Sequence, residues 1–217
     1  MDDFILRIAI GLPGFLLAIV FHEWGHAFVA YMFGDDTAKR AGRLSLNPAV
    51  HLDMLGTVIF PLIGAVLGGV MFGWAKPVPI DPRRFKNVRS SIFWVSFAGP
   101  GINIILAIIS AFLLALVITQ VPQDFYLFMP FISMLKQSVY INIILAIFNL
   151  IPFPPLDGSK MVSAFLSYEA MRKYEELARF SFLFFIVLMY TGGLRIVLTP
   201  ALIAGEGVIA LFYQMLA

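Results

Sequence analysis

The sequence predicts an all-α polytopic membrane protein, a helical bundle with one re-entrant segment and short β-strands at the membrane surface. Three observations carry that prediction. Of the 217 residues, 60% are hydrophobic and only 13% are charged, against roughly 45–50% and a quarter in soluble domains. Mean hydropathy is +0.91. Charge-free runs at 54–75, 90–123 and 137–156 each reach the ~20 residues that a membrane helix needs. Shorter apolar runs at 180–194, 196–205 and 207–217 are divided only by Arg195 and Glu206. The net charge of +2 leaves no basic excess for a nucleic-acid partner, which is excluded. With no cysteine there is no disulfide framework and no thiolate metal site. His and carboxylates are then the strong metal ligands available.

The opening segment, 4–33, is also long and apolar enough to span, yet it contains Arg7, His22, Glu23 and His26. It begins Met1-Asp2-Asp3 where a cleaved signal would be basic, so it is expected to stay attached. Polar stretches follow at 34–53, 76–89, 120–136 and 157–179. The alternating run Gly42 to Pro48 and the proline-extended run Lys76 to Ile80 predict short strands at the membrane surface. The run 169–179 is helical by propensity. No internal repeat is visible. One domain over 1–217 is expected, with a catalytic core at about 4–160 and C-terminal membrane helices at about 178–217.

His22-Glu23-Trp24-Gly25-His26 is His-Glu-x-x-His, whose i, i+4 spacing puts two imidazoles on one helix face with a glutamate beside them. Three ionisable groups inside an apolar span are costly unless they have partners. That favours a metal over a pair of packing histidines. A catalytic zinc takes three protein ligands and keeps a position for water. The further candidates are His51 and Asp157. Asp157 closes the run Asn149-Leu-Ile-Pro152-Phe-Pro154-Pro155-Leu156-Asp157-Gly158. Its prolines must break the preceding helix and its glycine allows close approach. Asp157 could also cap the next helix.

These residues resemble the site-2 protease family, the intramembrane zinc metalloproteases, in its compact bacterial and archaeal form without PDZ or CBS domains. The family's two motifs are matched by His22 to His26 and by Asn149 to Gly158. Three further stretches are similar to the compact subgroup: Gly42 to Pro48 with His51 and Asp53, Phe72 to Pro79, and Ala98-Gly99-Pro100 with Asn103. The resemblance covers roughly residues 20–160. It implies one Zn2+ held by His22, His26 and Asp157, with Glu23 as base, Asn149 as an active-site helper and an auxiliary role for His51. It also implies a substrate with a transmembrane helix, cut within or near that helix in regulated intramembrane proteolysis. The Gly64/Gly68 pair and Asn103 read as packing features. The residues alone leave open a metal- or proton-coupled transporter, but such folds show paired repeats with broken helices, and none is visible.

If the two motifs are to meet, the first span and the span ending at Asp157 must run in the same direction. Either 54–75 or 90–123 must then fail to cross. Pro61 and the glycines at 56, 64, 68, 69 and 73 weaken 54–75, so it is the segment expected to be re-entrant. This places twelve of fifteen Lys/Arg on one face. By the positive-inside rule that face is cytoplasmic, in a prokaryotic cell (inner) membrane, with the site near it.

Overall fold

The computed structural model describes residues 2–66 and 73–217. Helix α1 (Asp2–Met32) is followed by a short α2 (Thr37–Arg40). A 3-10 turn at Pro48–Val50 and a π-helical turn at Met54–Ile59 lead into α3 (Phe60–Val66). After a 3-10 turn at Pro82–Arg84 come α4 (Val88–Gln120), α5 (Phe128–Leu150), α6 (Asp157–Ser163) and α7 (Tyr168–Glu175). A 3-10 turn at Glu176–Phe180, then α8 (Ser181–Tyr190) and α9 (Gly193–Leu216), complete the chain. Among the described residues, Ile8–Met32 of α1, together with α4, α5 and α9, form four helices long and apolar enough to cross a membrane. The protein is an all-α polytopic membrane protein. Large apolar side chains such as Ile105, Ile109, Phe182 and Ile203 stay exposed, as suits a surface solvated by lipid tails.

Local chemistry sets the helix ends. Asn87 caps α4 by accepting from Ser90 N at 3.2 Å, and Pro122 follows its last turn. Pro152 ends α5 at Leu150, as its missing N–H requires. Gly34, at φ 100°, takes the left-handed conformation that turns the chain out of α1. One expected boundary moved. Lys136 does not precede the third span but lies within α5, because its ammonium sits 5.7 Å from the Tyr140 ring centroid and 3.7 Å from Glu206. A paired lysine is tolerated where a free one would end the helix.

Contacts along the helices fix their directions. Asn103 and Val95 of α4 meet His22 and His26 of α1 respectively, so these two helices are antiparallel. Gly14 packs on Ser138 near the other end of α1, and Asp157, just past α5, reaches His22. Helix α5 therefore runs with α1. Phe15, Ala18 and Ile19 of α1 are buried against Ile141 of α5 and Ala75, and Ala27 and Ala30 are buried beside Val78 and Phe85.

The expected strands are corrected. Among the described residues neither 43–47 nor 76–80 belongs to a β-ladder. The physical reason is that the available N–H groups bond elsewhere. Trp74 N donates to Gly56 O, Lys76 N to His51 O and Val78 N to the Glu23 carboxylate, while Pro77 and Pro79 have no N–H. The 74–81 segment is instead a strap stitched along α1, and Arg43 reaches Lys76 O at 3.3 Å. The strap's far end is clamped by Asp35, whose buried carboxylate accepts from Thr37 N, Thr37 Oγ1 and Asp81 N. Beside it Arg84 donates to Asp36 at 2.7 Å. The hydrogen bond from Arg40, joined by the charges of Arg40 and Arg84, holds the Asp36 carboxyl below its ordinary range, and the bond from Arg83 does the same for Asp81. The segment 54–75 begins and ends at this stitched region. Its middle, with Gly68 and Gly69, lies outside the described residues, as does Phe72.

Candidate metal centre

The site forms where α1, α4 and the start of α6 converge. His22 and His26 lie one helical turn apart on the face of α1 that meets α4. The helices come close because Gly99 is opposite them. A Cβ there would collide with His26 Nε2 and lie 2.7 Å from His22 Cε1. Asp157 arrives from the third side. The proline run 152–155 ends α5 and turns the chain back, and Gly158 lies so near the Leu150 carbonyl that it has no room for a Cβ. Later elements brace this turn: Tyr174 Oη donates to Pro152 O at 2.7 Å, Ser181 Oγ to Pro154 O at 3.0 Å, and Phe184 stacks on Phe153. The N-cap of α6 is Leu156, which makes no side-chain cap bond, and Asp157, the first residue of that helix, turns its Oδ2 to the histidines.

Asp157 Oδ2 lies 3.1 Å from His22 Nε2 and 3.2 Å from His26 Nε2, and the two Nε2 atoms are 3.1 Å apart. All three residues are buried. The opposite ring nitrogens decide what these atoms can do. His26 Nδ1 is 2.6 Å from Val95 O, which only accepts. His22 Nδ1 is 2.6 Å from Asn103 Oδ1. The amide orientation of Asn103 follows from its other bonds, because its Nδ2 donates to Ala18 O at 3.0 Å and to Asn142 Oδ1 at 2.8 Å. Both Nδ1 atoms are therefore donors, so each imidazole in its neutral, metal-binding form presents Nε2 as a lone pair. Two lone pairs and a carboxylate oxygen thus face one another in a buried pocket. A single proton can bridge only one of the three contacts. A cation among them answers all three at once, and two imidazoles with a carboxylate are a donor set suited to zinc. The residues fit the metal, and they are a group that can hold one.

The other expected site residues take different places. Glu23 is half-buried next to the trio in sequence, with Oε2 accepting from Val78 N at 2.9 Å. The Asn149 amide donates to Leu145 O at 3.0 Å, one turn back along α5. His51 stands apart as well. It is fully buried, its Nε2–H donates to Ser45 O at 2.8 Å, and its Nδ1 has no partner. Its carbonyl nevertheless holds the same strap that holds Glu23. Sequence reasoning gave Asn103 a packing role and did not place Asn142 or Lys160 at the site. Lys160 Nζ lies 3.2 Å from Asp157 Oδ1, which leaves Oδ2 for the histidines. The signal for Asn103 was available: it is the one amide within 90–119, inside a charge-free run, and polar groups in such runs need named partners.

Comparison with known proteins agrees with this chemistry. The profile of peptidase family M50 matches residues 118–190, which hold the proline run and Asp157. The "Putative zinc metalloprotease YwhC" of Bacillus subtilis is 38% identical over 199 residues, covering 91% of this chain and 88% of that protein. The chain belongs to peptidase family M50. The "Putative zinc metalloprotease Rip2" of Mycolicibacterium smegmatis is 30% identical, covering 88% of this chain and 69% of its own length. That of Mycobacterium tuberculosis is 28% identical over 82% of this chain and 65% of its own. No solved structure gives a significant match. This M50 member is thus a zinc-dependent peptidase and an integral membrane protein working in a lipid bilayer.

Proposed function

We propose that this protein is an intramembrane zinc metalloprotease, hydrolysing peptide bonds in or near transmembrane segments of membrane-protein substrates, in regulated intramembrane proteolysis. The observation that carries the reading is the meeting of His22 Nε2, His26 Nε2 and Asp157 Oδ2 among helices apolar enough to cross a membrane. These three residues would hold one zinc per chain. Zinc, when bound, supplies a Lewis acid that polarises the scissile carbonyl and lowers the pKa of water. Glu23 acts as general base. Its Oε2 is pinned by Val78 N, leaving Oε1 to take a proton from the attacking water and deliver it to the leaving amine. Asn149 is proposed as a helper for the developing oxyanion and His51 as an auxiliary residue. The whole chain serves as one domain, in which the elements from 174 to 184 brace the turn that delivers Asp157.

Mass spectrometry of products tests the reading. Incubated with a panel of single-span membrane proteins in liposomes, the enzyme is expected to release fragments ending within or beside the spans. Cuts confined to soluble loops would overturn it.

The segment 54–75 is proposed to be re-entrant, with the site near the cytoplasmic face of the inner membrane. Support comes from both flanks of that segment. Asp36, before it, is bonded to Arg84, after it, and Trp74 N returns to Gly56 O. Single cysteines introduced into this cysteine-free chain check the topology. Positions 36 and 87 are expected to react with an impermeant maleimide from the cytoplasm and position 124 from outside. Opposite sidedness of 36 and 87 would require 54–75 to cross.

A further inference from the structure

We infer that Asn103 is a positioning residue for the metal centre: it fixes the tautomer and ring orientation of His22 and links that ligand to α5 through Asn142. The inference deepens the proposed function and rests on His22 being a zinc ligand. Asn103 and Asn142 are almost wholly buried at 0% and 1% exposure. They lie among apolar helices where an amide without partners is expensive, and every bond the two make runs along one line. Ser138 O accepts from Asn142 Nδ2 at 2.9 Å, and Asn142 Oδ1 accepts from Asn103 Nδ2 at 2.8 Å. Asn103 Nδ2 also donates to Ala18 O at 3.0 Å, one turn before His22, and Asn103 Oδ1 receives the His22 Nδ1–H. Ser110 of α4 and Ser138 of α5 add a cross-link farther along at 2.9 Å.

The polarity of this line matters more than its length. Because both protons of the Asn103 amide nitrogen are taken by carbonyl oxygens, only its oxygen can face His22. The imidazole must then carry its proton on Nδ1 and offer Nε2 as a lone pair. The same Asn103 side chain ties α1 to α5, the helix whose end delivers Asp157. One amide therefore governs the protonation pattern of one ligand and the mutual register of the two helices that supply the set. A packing residue would need only the register.

Zinc affinity measured by chelator competition, beside thermal unfolding of the zinc-free protein, separates these roles. Asn103→Leu fills the space but accepts no hydrogen bond, and is expected to weaken zinc binding by about 10- to 100-fold, the usual effect of losing such a partner. Asn103→Asp keeps an acceptor for Nδ1–H while losing both donors. It is expected to unfold at a lower temperature than the natural protein when zinc-free, yet to bind zinc within about threefold of it, since carboxylates serve histidine ligands in the same way. A protein that used Asn103 for packing alone would lose stability in both variants and affinity in neither. Unchanged affinity in Asn103→Leu, or affinity as weak in Asn103→Asp as in Asn103→Leu, overturns the inference. If Asn103→Leu does not fold, Asn103→Ala, which likewise accepts no hydrogen bond from His22, takes its place with the same expected loss of zinc affinity and the same overturning result. A His26→Ala control keeps the two readings apart. Should that variant retain full zinc, the ligand set is wrong. Should it lose zinc while Asn103→Leu keeps it, only the role of Asn103 fails.

Discussion

A Glu23→Gln protein is expected to bind zinc as the natural protein does and to cleave a single-span substrate about 10²- to 10⁴-fold more slowly, the range that a positioned general base contributes. The substitution is conservative in shape. Gln can still accept from Val78 N, so the strap at 74–81 keeps its attachment to α1. What disappears is the second carboxylate oxygen, which could take up and return a proton beside His22. Metal content by atomic emission and kcat on a reconstituted substrate give the two halves of the result. Near-normal turnover would remove Glu23 from its role, whereas loss of zinc would mean that the glutamate shapes the site and not only its chemistry.

The motif pair was legible because each half is local. Two histidines four residues apart share a helix face whatever surrounds them, and three prolines in four positions end a helix in any fold. Meeting of the halves was legible from parity, since ligands at two helix ends demand parallel helices, and α1 and α5 are parallel. The partners of the supporting groups were not legible, for the opposite reason. Asn103 is 81 residues from His22 in sequence, and nothing in the local pattern shows that it lies level with His22 when α4 packs on α1. The expected strands are absent among the described residues because alternation at 42–48 and proline-extended backbone at 76–80 do not say where each N–H goes. In 76–80 the N–H of Lys76 goes to His51 O and that of Val78 to the Glu23 carboxylate, while Pro77 and Pro79 have none. Lys136 misled for a related reason. A charge was taken as the edge of a span, but its partner Glu206 sits on a helix 70 residues away in sequence. Pairing of that kind is invisible until the helices are assembled.

Removing a ligand gives the other large effect, and the two available removals should differ in an instructive way. His26→Ala leaves His22 and Asp157, and two ligands hold a catalytic zinc poorly, so zinc affinity is expected to fall by at least about 100-fold and cleavage with it. The same loss of metal and activity is expected for Asp157→Asn, but its zinc-free form should behave otherwise. In the structure the Asp157 carboxylate oxygen and the two Nε2 atoms lie 3.1–3.2 Å from one another, and with no cation between them at least one Nε2 would lack a donor. An asparagine amide can turn its NH2 toward both rings and donate to each, while its oxygen keeps the contact that Lys160 now makes with Asp157 Oδ1. Buried acceptors without donors cost about 1–3 kcal/mol each. Zinc-free Asp157→Asn is therefore expected to be more stable than the zinc-free natural protein, and zinc should raise the melting temperature of the natural protein alone. Calorimetry or fluorescence-detected unfolding in detergent, with and without a chelator, measures both differences. A zinc-free Asp157→Asn protein less stable than its natural counterpart would show that the three facing atoms are already satisfied without a cation, and full zinc occupancy in His26→Ala would remove the histidine from the ligand set.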